Sequence, residues 1–456
     1  MKKRIFAAFL LFAALTSIAS CSPNADIPPV TETHYTKPSD PTETEVHNPE
    51  YLLEITENDG KWVINTDIPG LSVTHTEDCG DGRTLLICEN ADRGIYDRCL
   101  SALSTFETVS STESGDNAFA TLAFSPHLLN VSYLHREKHI RFTVTKSTDP
   151  TSLYAKPTDT KAECEPMIIF HGLAWSEEGY KTYQSGLSML IRLSDGRFII
   201  IDGGYSRNKD ADDLYTLIKE NTPDKMKPTV AAWLVTHAHG DHSQAFATNF
   251  SKRHSSDTLV EHIVFCQPSF TMFASEAVRG NYTAIQNAAK KFSAELIRPH
   301  TGDRYYIGDA TVDVLFTSEL LCPVPFTNFN TSSTVFSITL AGQRILITGD
   351  ATNAVFERMV RLYGASLKAD IVQVAHHGET TGVADTEAIA VMQGYRYMSP
   401  SLVLWPSGEE TYKKEKNRSY NLTLTLLPSV KEIIVAGETD HIIKLPYSAE
   451  ASGGTK

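Results

Sequence analysis

The 456-residue chain is long enough for two or three domains with a substantial core. Its 41% hydrophobic and 21% charged content is that of a globular protein. A formal net charge of -14 gives no general attraction to polyanions and argues against avid binding of duplex nucleic acid.

The first residues read as an export signal rather than as part of a fold. Lys2, Lys3 and Arg4 precede an apolar run that falls short of the roughly 20 residues needed to span a bilayer. The run ends at Ile18-Ala19-Ser20-Cys21, which resembles a bacterial lipoprotein cleavage box. Residues 1–20 are therefore expected to be removed, and the Cys21 thiol to carry a lipid. That implies an exported chain held to a bacterial membrane, facing the periplasm or the exterior. Residues 21–49, rich in Pro, Thr, Ser and acids without an apolar period, are expected to be a disordered tether. Export permits disulfides, and Cys79 and Cys88, flanking Gly80–Ile87, are the pair close enough in sequence to close a loop. No cysteine spacing is that of a zinc knuckle.

Residues 50–155 carry short strand patterns in KWVIN, RTLLICE and HIRFTVTK, with one helical stretch in GIYDRCLSALSTFETV. They suggest a small α+β accessory domain whose His127, His135 and His139 are dispersed surface residues. From about 165 to 445 the texture changes. Apolar β-runs (FIII, TVAAWLVT, TVDVLFTS, VFSITL, RILITG, DIVQVA, LVLW) alternate with helical segments, a pattern that suits sheets covered by helices, an α/β layered architecture.

Ligand-type residues recur where these strands end. His237 follows TVAAWLVT, Asp202 closes RFIIID, Asp350 follows RILITG, and His376 follows DIVQVA. Strand ends are rigid supports for functional groups. In extended backbone His237 and His239 point to one side and can share a metal ion. Asp241 and His242, beyond the turn at Gly240, can aim at a second ion. Asp350 can bridge both, and His376 would complete the second site. Such nitrogen and carboxylate donors suit two divalent ions, Zn²⁺ first, with Mn²⁺ or Fe²⁺ also compatible. Asp202 is expected to orient a ligating histidine.

The run His237-x-His239-x-Asp241-His242, with Asp202-Gly203-Gly204 upstream and Gly349-Asp350 and a late histidine downstream, resembles the metallo-β-lactamase superfamily over residues of about 165–445. The resemblance implies a four-layer αβ/βα sandwich with a dinuclear metal site between two sheets, here preceded by the small α+β domain. NTSSTVFSITLAGQRILITGD followed by ADIVQVAHHGET looks like the competence-protein branch and its relatives, which also resembles secreted choline-phosphate esterases. Two departures matter: Glu379 stands where Ser often follows His-His-Gly, and the histidine that should follow TVDVLFTS, near Ser318 and Glu319, is absent. His300 precedes that strand and is a weak substitute, as are His254 and His262.

A water shared by two metal ions ionises near neutral pH and suits in-line attack at phosphorus. The leading expectation is a surface-tethered phosphodiesterase, with Asp241 as ligand and His377 and Asn330 meeting phosphate oxygens. The basic stretch 411–418 (TYKKEKNR) is expected to be a solvated charged segment, with substrate steering as the alternative. A lactonase, thioesterase or β-lactamase acting on acyl carbon is the alternative enzyme. A lipoprotein that binds glycan or metal without turnover is the alternative from another class.

Overall fold

The computed structural model describes residues 50–449 apart from 60, 81, 147–149, 159–160, 175–184, 270–275, 325–327 and 381–387. The expected signal peptide, the Cys21 lipid site and the tether lie outside the described residues. Among the described residues no helix is long and apolar enough to cross a membrane.

The accessory region begins with the hairpin β1 (Leu53–Asn58) and β2 (Lys61–Thr66). Six antiparallel strands follow: β3 (Val73–Gly80), β4 (Arg83–Cys88), β5 (Glu107–Ser114), β6 (Asn117–Phe124), β7 (His127–Leu134) and β8 (His139–Lys146). They lie in the order β3-β4-β8-β7-β6-β5. The helix expected across 94–109 spans only Arg93–Ala102. Asp92 caps its start by accepting from the Ile95 amide at 2.8 Å. The Ser- and Thr-rich run beyond it prefers strand β5, because such residues compete with helical backbone bonds or pack better on a pleat.

Two mixed sheets form the larger part. The first contains β9 (Met167–Phe170), β10 (Ser188–Arg192), β11 (Phe198–Asp202), β12 (Thr229–Val235), β13 (Leu259–Val260), β14 (His262–Phe265) and β15 (Glu295–Ile297). The second contains β16 (Arg304–Ile307), β17 (Ala310–Phe316), β18 (Val335–Leu340), β19 (Gln343–Ile347), β20 (Ile371–Gln373), β21 (Leu402–Trp405) and β22 (Glu432–Val435). The last strand, β23 (His441–Lys444), returns to pair with β9 and completes the first sheet, ordered β15-β14-β12-β11-β10-β9-β23 with β13 beside β12. The second is ordered β16 to β22 in sequence.

The sheets pack face to face. One buried cluster joins Ile199, Ile201 and Leu234 of the first sheet to Val312, Ile338, Ile345 and Leu404 of the second. Helices Asn208–Glu220 and Glu276–Phe292 cover the outer face of the first sheet through Leu214, Ile218 and Ile285. Helices Asn353–Tyr363 and Ile389–Met398 cover the second through Phe356, Met359 and Tyr395. This is the expected four-layer sandwich. It also explains why TVAAWLV is apolar throughout: β12 is buried on both faces, parallel to β11 and β14.

The accessory sheet meets the sandwich through a buried polar contact. Arg83 Nη1 lies 2.5 Å from Glu319 Oε1, and His300 Nδ1 lies 3.1 Å from Glu319 Oε2. Thr145 Oγ1 is 2.9 Å from His300 Nε2. Nearby, Thr121 and the Tyr154 and Tyr305 hydroxyls donate to Asp303. His300 is thus committed to this contact. The Cys79–Cys88 loop does not form: Cys88 sits across β3–β4 from Val73, whereas Cys79 faces Cys322 of the sandwich. The basic stretch 411–418 falls mostly on helix Glu409–Glu415, where Lys413 and Lys414 stand exposed beside Glu409 and Glu415. That is a solvated charged face.

Candidate metal centre

The chain assembles the centre where strands of both sheets end. β12 delivers Thr236 and His237, and His239 is still extended (φ -69°, ψ 156°) just before the short helix Gly240–Gln244, which carries Asp241 and His242. From the second sheet, β19 leads through Gly349 to Asp350. Gly349 has φ +54°, and a β-carbon there would fall 2.8 Å from the Thr236 side chain. Only glycine lets the two sheet edges approach this closely.

Two clusters result, and both contain Asp350. His237, His239 and Asp350 form one; Asp241, His242, Asp350 and His377 form the other, with ligand atoms in each within 4.8 Å of one another. The expectation had given His376 to the metal and His377 to substrate; the geometry sets His377, not His376, in the second cluster. β20 ends at Gln373, and the backbone then turns left-handed at two successive residues, His376 (φ 50°) and His377 (φ 56°). This conformation costs about 1–3 kcal/mol per non-glycine residue and persists where the surroundings impose it. It swings His377 inward, to 3.2 Å from Asp241 Oδ2 and 3.4 Å from Asp350 Oδ1. Gly378 (φ +79°) completes the turn, packed so closely on Trp405 that a β-carbon would overlap the indole. His376 stays at the edge, 20% exposed and 3.8 Å from Asp350 Oδ2. Its Nδ1 is held by the Thr380 carbonyl, and its Nε2 accepts from Asn330 Nδ2 at 2.9 Å.

Hydrogen bonds fix which nitrogen of His237 and of His242 carries a proton. His242 Nδ1 lies 2.7 Å from Asp202 Oδ2, and a carboxylate can only accept. Thr236 Oγ1 also donates to Asp202 at 2.7 Å, so its lone pair takes the proton of His237 Nδ1 at 3.1 Å. His377 Nδ1 is shared between the Pro406 carbonyl at 3.0 Å and the Gly186 N–H at 3.2 Å. As neutral rings, His237 and His242 therefore aim bare Nε2 lone pairs into the centre, where His377 Nε2 faces them. His242 Nε2 is 3.2 Å from His377 Nε2 and 3.1 Å from Asp350 Oδ1. His237 Nε2 is buried with no hydrogen-bond partner, 3.6 Å from Asp350 Oδ2. Acceptors facing acceptors at these distances need cations between them.

Titration in the metal-free chain reflects the same imbalance. Burial opposes charge on His242 and His377, yet Asp350 and Asp241 hold His242 well above the ordinary histidine range and lift His377 to about 10. Burial likewise resists ionisation of Asp350, but His242, His377 and His376 keep its carboxyl well below the usual range. His237 is pushed down by burial and by His242, which favours the neutral ring a metal requires. Protons stand where divalent ions fit, and the donor set of nitrogens and carboxylates matches such ions.

Asp202, itself in a left-handed conformation (φ 53°), thus orients His242 directly and His237 through Thr236. Sequence reasoning missed several supports. Thr236 sets the His237 tautomer, the Pro406 carbonyl and the Gly186 N–H hold His377 Nδ1, and Asn281 holds the ligand loop by donating to Ala238 O at 2.7 Å while accepting from Gln244. Phe329 walls the first cluster, its ring centroid 5.2 Å from that of His239. None of these has a distinctive sequence signal. Where a third histidine was sought, Glu319 turns to Arg83 and His300, and the first cluster keeps three donors.

Residues 182–401 match the family model described as the metallo-beta-lactamase superfamily. No curated protein sequence matches the chain. Similar solved structures include the metallo-β-lactamase fold protein YhfI from Bacillus subtilis, at 14% identity over 61% of this chain and 99% of that one, TM-score 0.38. Another is CmlA, a diiron β-hydroxylase from Streptomyces venezuelae, at 12% identity over 64% and 56%, TM-score 0.37. A third is Zn²⁺-bound PqqB from Methylobacterium extorquens, at 10% identity over 61% and 100%, TM-score 0.37. With the matched region spanning both clusters, at the shared edge of two face-packed sheets with helices outside, this chain has the metallo-β-lactamase fold.

Proposed function

We propose that this chain is a dinuclear metal-dependent hydrolase acting on phosphodiesters, exported and held to a bacterial membrane through Cys21. The observation that carries the reading is the pair of clusters sharing Asp350, with three donors in one and four in the other. Two divalent ions bound there would supply an activated water and positive charge facing the substrate. His237, His239 and Asp350 would hold the first ion; Asp241, His242, Asp350 and His377 would hold the second.

The chain's own groups set the rest of the chemistry. Asp202 and Thr236 keep His237 and His242 in the tautomer whose Nε2 faces inward. Asn330 and the partly exposed His376 stand together beside Asp350. There the Asn330 amide can turn its N–H from His376 to a phosphoryl oxygen, and the partly exposed His376 ring lines the same side of the site. Phe329 excludes water from one side. Three donors leave the first position more open than a three-histidine site would, which favours a ligand that brings its own anionic oxygen. Zn²⁺ suits the donors best, with Mn²⁺ and Fe²⁺ compatible.

The test is turnover by the purified, metal-loaded chain across substrate classes. Bis(p-nitrophenyl) phosphate or a choline-phosphate ester should be hydrolysed, and penicillins, lactones and thioesters far more slowly. Efficient lactone or β-lactam cleavage without phosphodiester turnover would overturn the choice of phosphorus over acyl carbon. Metal uptake without hydrolysis of any class would identify a binding protein instead. The anchor is tested separately: Cys21→Ser should release the chain from membranes, and unchanged fractionation contradicts lipid attachment.

A further inference from the structure

Outside the metal centre, the densest set of reactive side chains lies where the accessory sheet meets the sandwich. Cys79, at the end of β3, and Cys322, just after the turn Ser318–Leu321, are separated by 243 residues, yet their Sγ atoms stand 3.5 Å apart. Both are buried, 2% and 3% exposed. We propose that Cys79 and Cys322 form a disulfide that straps the accessory domain to the catalytic sandwich.

Three features favour this pair over any other. Each cysteine's backbone is held by a buried arginine: Arg83 Nη2 donates to Cys79 O at 3.4 Å, and Arg141 Nη2 donates to Cys322 O at 3.2 Å. The two arginines are themselves tied to Glu319, one through its carboxylate and the other through its carbonyl. Both cysteines are thus pinned before any bond forms, and a disulfide needs its sulfurs brought to about 2.0 Å, a closure that small side-chain rotations supply. The neighbouring Cys266 thiol is otherwise engaged, 3.2 Å from Arg83 Nη1 and 3.7 Å from Ser318 Oγ. Cys88 and Cys99 lie in the accessory core, away from this contact, and Cys164 Sγ is engaged with the Leu193 carbonyl.

The β3–β4 turn is also wedged into the sandwich. A β-carbon on Gly80 would lie 2.7 Å from the Ser269 backbone, so the tip carrying Cys79 has little freedom to withdraw. A covalent tie there would bind the accessory sheet to the sandwich beside the turn Ser318–Leu321.

The reaction balances with a disulfide donor such as glutathione disulfide. The two thiols lose two protons and two electrons, one S–S bond forms, and two molecules of reduced glutathione leave. The pairing stands whether or not the proposed hydrolase activity or export is correct, because purified protein and added oxidant suffice to test it. The full chain is refolded with glutathione disulfide, denatured, labelled with maleimide and digested. Cys79 and Cys322 should appear in one linked species, lighter by two hydrogen atoms than the reduced peptides, with Cys88, Cys99 and Cys266 labelled. Maleimide or glutathione on both Cys79 and Cys322, or a link from either to another cysteine, overturns the proposal.

Stability gives a second readout. Cys79→Ser, Cys322→Ser and the double variant should lower the oxidised protein's unfolding midpoint by the same amount, on the order of 5 °C. Dithiothreitol should bring the wild-type chain to that value and leave the variants unchanged. Losses that add in the double variant, or no effect of dithiothreitol, would indicate packing alone.

Discussion

Two buried polar clusters sit in this molecule, and they are built on opposite principles. At the accessory contact acceptors meet donors: Glu319 faces Arg83 and His300, and Asp303 accepts from Thr121, Tyr154 and Tyr305. At the metal centre, acceptors face acceptors: as neutral rings, His237 and His242 point bare nitrogens at Asp350, beside Asp241 and His377. A self-satisfied cluster is cement, whereas one with surplus lone pairs is built around something else. The rule separates the roles of His300 and His237, both fully buried histidines beside a carboxylate.

The comparison breaks most sharply at Asp350. Asp350→Ala should remove the shared ligand, reduce bound metal from two equivalents to one or fewer, and lower turnover by at least ~100-fold. Elemental analysis alongside an activity assay checks this, and near-stoichiometric metal with normal turnover would contradict the shared-ligand assignment. The same kind of change at the other cluster should act on stability alone. Glu319→Ala strands the buried Arg83 and should cost about 3–5 kcal/mol, read by denaturant unfolding, while metal content in the folded fraction stays at the wild-type level.

Much of this contrast was legible in the sequence, and the illegible parts share a cause. His237, His239, Asp241, His242 and Asp350 stood out because ligand-type residues follow apolar strands, and that placement is local. The order of His376 and His377 was not legible, because strand alternation was carried past Gln373 into a left-handed turn that only tertiary packing against Trp405 imposes. Thr236, Asn281 and Pro406 are ordinary residue types whose roles come from what folding sets beside them. Glu319 marked an absence in the histidine pattern; its purpose depends on Arg83, 236 residues away. A layered α/β architecture was readable from alternating β-runs and helices, and the four-layer sandwich followed from the resemblance carried by the His237-x-His239-x-Asp241-His242 run, but the polar seam joining the accessory sheet was not readable, since its members are scattered through the chain.

Smaller perturbations sharpen the same division. Asp202→Asn replaces one acceptor oxygen of the pair that orders His242 and Thr236, so metal affinity should fall by roughly 10–100-fold with little change in unfolding midpoint of the metal-free chain. Competition with a chelator measures it; unchanged affinity would mean that the tautomer does not depend on Asp202.

The smallest effect is a pH dependence at the accessory contact. Burial disfavours charge on His300, but Glu319 outweighs it and raises its pKa above the ordinary histidine value. Glu319 itself is held down to about 2 by His300 and Arg83 against the opposing effect of burial, so it stays ionised throughout the histidine range. The sign follows: the His300 contribution is fully present below the unfolded pKa of about 6.5 and is lost as pH rises through the raised folded value. His300→Asn should therefore cost about 2 kcal/mol near pH 6 and progressively less in alkaline buffer. A loss that grows with pH would mean that His300 is buried as the neutral ring.

The central claim, that the metal centre is built around cations and the seam is not, rests most directly on metal stoichiometry. Purified wild-type chain, reconstituted with Zn²⁺ and freed of excess, is predicted to retain two equivalents per chain by elemental analysis. Glu319→Ala should retain the same two, and Asp350→Ala one or none. A wild-type chain that holds no metal at micromolar Zn²⁺, or that keeps both equivalents without Asp350, would contradict it.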